Sequence, residues 1–131
     1  MKISQSLLDD LTLQAKENPR LRQNLDLRTS PEDASQRMLN AIEPDSEIPI
    51  HRHRSSTETV AVLRGRVMQY LYDDQGRVVE SFEAGEGLDI VGFCVPVMAW
   101  HRLRSLESGT VILETKDGAW QPLSKEDILI P

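Results

Sequence analysis

The sequence predicts an all-β fold, a sandwich or barrel with a short helical extension at its N-terminus. From Ile48 onward the hydrophobic period is two, through "EIPIHRH", "ETVAVLRG", "RVMQYLYD", "RVVESFE", "LDIVGFCV", "AWHRLRSL" and "GTVILET". Turn-forming clusters, "DDQG", "EAGEG", "ESG" and "KDG", separate most of these runs, so the strands are short and joined by tight connections. The length of 131 residues is enough for one core and too short for two.

Ahead of the strands, "SQSLLDDLTLQAKENP" places Leu7, Leu8, Leu11 and Ala15 on one helical face, with Ser6 as its cap. Asn18-Pro19 ends it, because proline disfavours helical geometry in the residue before it. "RLRQNLDLR" alternates and reads as an edge strand. "SPEDASQRMLNAIEP" predicts a second helix: Ser30 caps, Pro31 suits the first turn, Glu32 and Asp33 complement the dipole, and Ala34, Met38, Ala41 and Ile42 form the stripe. Residues 1–44 are therefore expected to form a helical extension on a barrel of residues 45–131, one structural domain overall. The closing "AWQPLSKEDILIP" is irregular and should wrap the barrel.

The net charge of −6 and the acidic pI argue against nucleic acid as the main partner, which calls for a basic face. No apolar run has membrane-span length, and "MKISQSLLDD" lacks the apolar core of a signal peptide, so a cytoplasmic protein without a membrane partner is expected. The single cysteine, Cys94, excludes an intrachain disulfide and a multi-cysteine zinc site, and reads as buried filler.

Two of the three histidines fall in "IHRHRSSTETVAVLRG". On a strand His51 and His53 share a face, while Arg52 and Arg54 take the other. Glu58 lies at an odd offset from His53, so "RSST" must turn or bulge before Glu58 can face inward. His101, in "AWHRLRSL", lies on a strand that can run beside the first. If these faces form the interior, three imidazoles and one carboxylate meet. Neutral imidazole donates well to borderline divalent metals, and the carboxylate offsets part of the ion's charge. Such a set leaves coordination positions open for water, substrate or dioxygen.

"HRHRSSTETVAVLRG" reads His-x-His-x4-Glu-x6-Gly and resembles the first motif of the cupin superfamily; "PVMAWH" resembles the core of the second. The resemblance implies a single cupin double-stranded β-helix, a jelly-roll barrel, with His51, His53, Glu58 and His101 as ligands of one divalent transition metal ion (Zn, Fe, Ni or Mn). Three positions depart from the pattern: Asp45 and Met98 stand at usual glycines, and Ser105 at a usual asparagine. "RLRQNLDLR", "SPEDASQRMLNAIEPDSEIPIHRHRS" and "LETKDGAWQPLSKEDILIP" together resemble the WbuC-type cupin-fold metalloproteins, a family associated with bacterial surface-polysaccharide gene clusters. A histidine often found there near the position of Asp26 is missing.

Arg22, Asn24 and Gln36 match polar positions of that family's extension; they either orient a polar ligand over the barrel mouth or serve structural hydrogen bonds. Gln69 and Tyr70 are candidates for lining the ligand pocket, Tyr70 with the alternative of packing against Tyr72. Trp100, Arg102 and Arg104 should point away from it. The resulting expectation is a metal-binding protein that acts on or binds a small polar ligand, such as a sugar or sugar nucleotide in surface-polysaccharide metabolism. The alternative is a non-catalytic, metal-dependent binding or regulatory module. No histidine is left free as a general base, and a homodimer is expected.

Overall fold

Strict side-chain alternation builds two five-stranded antiparallel sheets in the computed structural model, which describes residues 1–130. The chain opens with helix α1 (Gln5–Glu17), then β1 (Arg22–Asp26), β2 (Ser35–Ile42), β3 (Ile50–His51), β4 (Glu58–Arg64) and β5 (Arg66–Tyr72). It continues through β6 (Val78–Gly85), β7 (Gly92–Val95), β8 (Trp100–Ser105) and β9 (Val111–Asp117), and ends in a single 3-10 turn (Lys125–Asp127) followed by β10 (Ile128–Leu129). The first sheet has the order β1-β2-β9-β4-β7 and the second β10-β3-β8-β5-β6.

Inward-facing residues of both sheets make the central core. Ile42, Val60, Val62 and Ile112 come from the first sheet, and Val67, Ala84 and Leu103 from the second. Helix α1 covers the outer face of the first sheet, where Leu8, Leu11 and Ala15 meet Leu39, Ala41 and Val111. Its cap is Ser4, whose Oγ accepts from the Leu7 amide at 3.2 Å, two residues before the expected Ser6. The outer face of the second sheet carries a smaller cluster of Ile50, Tyr72 and Trp100. Among the described residues no helix is long and apolar enough to cross a membrane.

The second helix expected over residues 30–44 does not form. Residues 35–42 are strand β2, hydrogen-bonded between β1 and β9, with Leu39 opposite both Leu25 and Leu113. Apolar residues at Met38, Leu39, Ala41 and Ile42 satisfy either period. The decision falls to what covers each face: Leu39 and Ala41 go under α1, while Ile42 enters the central core. The apparent cap region is a turn instead, in which Asp33 accepts from the Thr29 and Ser35 amides. The edge strand expected in "RLRQNLDLR" is β1. Cys94 is exposed on the edge strand β7 and is not buried filler.

Gly65 joins β4 to β5 with φ +84°, and a Cβ there would lie 2.3 Å from Thr110 Oγ1, so both backbone conformation and space require glycine.

Candidate metal centre

The cluster is assembled across the gap between the sheets. His51 on β3 pairs directly with His101 on β8 in the second sheet, and Glu58 opens β4 in the first. His53 follows β3, two residues past His51, and so presents its ring on the same side. The segment between His53 and Glu58 makes the turn expected of "RSST". Ser56 Oγ donates to the Asp117 carbonyl at 2.7 Å, and the Thr57 amide to Asp117 Oδ1 at 2.8 Å. These two bonds dock the turn on the end of β9, and Glu58 then starts its strand facing inward. On the far side the Met98 amide donates to the His53 carbonyl at 2.8 Å, which fastens the loop before β8 to the histidine pair.

One ligand-type atom from each of His51, His53, Glu58 and His101 lies within 4.8 Å of the other three. Ring centroids of His51 and His101 are 4.3 Å apart. Glu58 Oε2 sits 3.1 Å from His53 Nε2 and 3.6 Å from His101 Nε2. Neither contact has the geometry of a hydrogen bond, so both nitrogens are buried without a partner. The opposite ring atoms are occupied: His51 Nδ1 and His101 Nδ1 each lie 2.8 Å from a carbonyl two residues back, Pro49 and Ala99. A carbonyl only accepts, so Nδ1 carries the proton and Nε2 keeps its lone pair. Fixing the tautomer through a backbone carbonyl is the usual way an imidazole is prepared for a cation. Burial, and then the neighbouring His101 charge, lower the His51 pKa to about 4, so that ring is neutral at pH 7. Burial alone would push the Glu58 carboxyl up. The His101 and His53 rings and the Lys116 charge outweigh it and hold the group well below the usual carboxylate range. A neutral His51 ring and two further imidazoles around an ionised carboxylate suit a divalent cation.

A cavity of about 760 Å³ opens beside the cluster, with His51 and His53 in its wall. Glu58 and His101 sit deeper, at 5% and 3% exposure. Arg22, Asn24 and Gln36 line this cavity, together with Asn40 and Glu114, which sequence reasoning passed over. Glu114 faces the cavity from β9 and is half-buried there; burial, and then the Glu58 charge, push its carboxyl up to about 7. Its place in "GTVILET" carries no signal, since only the pairing of β9 with β4 brings it level with Val60, one inward position from Glu58. Gln69 and Tyr70 are not brought together. Adjacent strand residues face opposite ways. Gln69 is buried inside at 1% exposure, with neither amide atom partnered, and Tyr70 lines a separate outer groove with Ser46, Arg102 and Arg104. Trp100 faces away from the cluster: its Nε1 donates to Asp74 Oδ1 at 3.0 Å, and the Arg52 guanidinium lies 4.3 Å from its ring centroid.

Arg52 and Arg54, the partners of the two histidines in "HRHR", both reach Asp127, at 3.0 and 2.9 Å. They tie the C-terminal segment down beside the cluster, and β10 pairs with β3.

A family model described as "Domain of unknown function (DUF6016)" matches residues 3–84. No curated protein sequence matches. Among solved structures the chain is similar to KdgF from Halomonas sp., with a TM-score of 0.60 and 16% identity over 77% of this chain and 82% of that one. It is also similar to oxalate decarboxylase from Bacillus subtilis (TM-score 0.58, 19% identity, 82% of this chain and 27% of that one, so it spans well under half of that protein). The cupin domain of Schizosaccharomyces pombe Cnp3 superposes with a TM-score of 0.59 at 11% identity, over 74% of this chain and 64% of that one. At these identities the likeness establishes the fold, which is of the cupin jelly-roll type.

Proposed function

The chain belongs to the family described as Domain of unknown function (DUF6016), and from that premise we propose that it is a metal-binding cupin protein whose ligands are His51, His53, Glu58 and His101. The observation that carries the reading is the pair of buried, unpartnered nitrogens, His53 Nε2 and His101 Nε2, turned toward one carboxylate. Leaving such atoms without a partner is costly unless something else meets them. A divalent ion held there would polarise a ligand oxygen or acidify a bound water.

The cavity beside it has the volume of a small-molecule site, and its wall mixes amides, charges and apolar groups. The reading extends to a small polar ligand such as a sugar or sugar nucleotide, and to a WbuC-type role in surface-polysaccharide metabolism, on the strength of the sequence resemblance. Whether the ligand is turned over or only bound separates an enzyme from a regulatory module. Glu114, a carboxyl on the cavity wall one inward position from Glu58, is the proton-transfer group that the committed histidines cannot supply. We place the protein in the cytoplasm, as a homodimer paired through an edge strand; β6 exposes Val78 and Val79 on such an edge.

Metal analysis of protein purified without added metal should find about one equivalent per chain, and His51→Ala with His53→Ala should abolish it. A double variant that still folds and keeps its metal would remove the assignment. Turnover of nucleotide sugars by the wild type, lost with Glu114→Gln while the metal stays bound, would decide for the enzyme.

A further inference from the structure

Cations gather around the cavity out of proportion to the chain. Arg20, Arg22, Arg52, Arg54 and Lys116 line it, against the carboxylates of Glu114 and Asp127, in a protein whose net charge is −6. Arg52 and Arg54 are spent on Asp127. The other three have no carboxylate within salt-bridge distance among the described residues. Arg22 is the most constrained of them. Its Nη1 donates to Ser46 Oγ at 3.3 Å and to the Glu47 carbonyl at 2.9 Å, which fixes the guanidinium and leaves its remaining nitrogens without a protein acceptor. Partial burial, and then the like charge of Arg20, disfavour its cationic form, and the Glu114 charge offsets only part of this. A half-buried guanidinium beside a second one, with Glu114 near but no carboxylate in salt-bridge contact, is suited to receive an anion.

A second observation is independent of charge. Asn40, 7% exposed, lines the same cavity, and its Oδ1 is buried without a donor. An orphaned amide oxygen in a cavity wall asks for a hydroxyl or N–H from whatever enters.

We infer that the cavity takes a small hydroxylated anion, its carboxylate or phosphate held by Arg22 beside Arg20, with Lys116 adding its field from the far end of the cavity, and one of its hydroxyls donating to Asn40 Oδ1. An acidic or phosphorylated sugar is thereby favoured over a neutral one. The inference rests on the reading above in taking the same cavity as the ligand site, but the cations and the orphaned oxygen stand apart from the four ligand residues.

Calorimetric titration of the protein, with its metal content measured in parallel, tests it with four probes: gluconate, acetate, a hexose monophosphate and glucose. At least one anion should bind more tightly than about 1 mM, while glucose should not. Gluconate and the phosphate ester separately identify which anionic group is preferred. Arg22→Gln should weaken that binding about tenfold and leave metal content unchanged; Lys116→Gln should weaken it by less, about two- to threefold. Lys116→Arg, which keeps the charge, should retain it. Asn40→Ala should reduce the preference for gluconate over acetate. Glucose binding as well as gluconate, neither anion binding, or Gln variants that bind as tightly as the wild type would each overturn the inference, even with the metal in place. Anion binding that depends on Arg22 and Lys116 in a protein without stoichiometric metal would uphold it while removing the metal-binding reading.

Discussion

The two ends of the space between the sheets are built by the same strands and do opposite things. Along β4 the inward residues run Glu58, Val60, Val62; along β8, His101, Leu103, Ser105; along β9, Lys116, Glu114, Ile112; along β2, Gln36, Met38, Asn40, Ile42. In β4 and β8 a single step of two residues leads from the cluster into the central core. The closed end excludes water with branched aliphatic side chains and supplies stability. The open end concentrates every unpartnered polar atom that is buried in the described chain, with Gln69 as the exception, and so stores unmet hydrogen-bonding capacity. Because the sheets are rigid where they are dry, the ligand atoms two residues away need no loop to order them.

The contrast is sharpest if each end can be damaged without the other. The cluster substitutions described above remove metal completely and should leave the fold. Ile112→Ala should do the reverse: it costs about 2–5 kcal/mol in denaturant unfolding, with metal stoichiometry unchanged. Loss of metal together with stability would show that the two ends are one cooperative unit.

The next effect in size concerns pH and the metal-free protein. Glu114 has a folded pKa of about 7, above its ordinary value of 4.5. Its contribution is therefore full below about pH 4.5 and is lost as pH rises through 7, by about 3 kcal/mol at most. His51 runs the other way. Its folded pKa of about 4 lies below the ordinary 6.5, so its contribution is present above pH 6.5 and is lost as pH falls toward 4. The two offset each other in the wild type. Glu114→Gln should unmask a stability that rises steadily from pH 4 to 6.5, measured by thermal unfolding in chelator; an unchanged profile would mean that Glu114 is ionised throughout.

Gln69 tests the boundary, being polar yet level with Leu103 of the apolar core. Gln69→Leu should stabilise by about 1–2 kcal/mol, since it removes two unpartnered buried atoms at similar volume. Destabilisation would show that Gln69 belongs to the open end and meets a partner there. The smallest effect is expected at Met98, which holds φ +65° in the loop that binds the His53 carbonyl. Met98→Gly should raise the unfolding free energy by about 1 kcal/mol, because glycine adopts that backbone conformation without a Cβ clash.

Much of the centre could be read in advance because its information is local. His51 and His53 share a face by strand geometry alone, Glu58 required the turn that Ser56 and Thr57 make on Asp117, and Gly65 and Met98 occupy positions where the motif expects glycine and the backbone has positive φ. Glu114 and Asn40 were not readable. Each is an ordinary strand residue whose role depends on which strand lies beside it, and cross-sheet pairing leaves no trace in a single sequence.

From the chain alone, then, came the β architecture and a first helix ending at Asn18-Pro19, both consequences of short-range periods, and a set of four ligand-type side chains, of which His101 was joined to the others by the resemblance of "PVMAWH" to a second motif. Tertiary structure decided the rest. It drew residues 35–42 into a sheet because α1 and the core cover both of their faces, and it placed Gln69 and Tyr70 on opposite sides of one strand. It also brought unpaired cations around a cavity in an acidic protein. Burial and proximity between distant segments are properties of packing, and no local pattern encodes them.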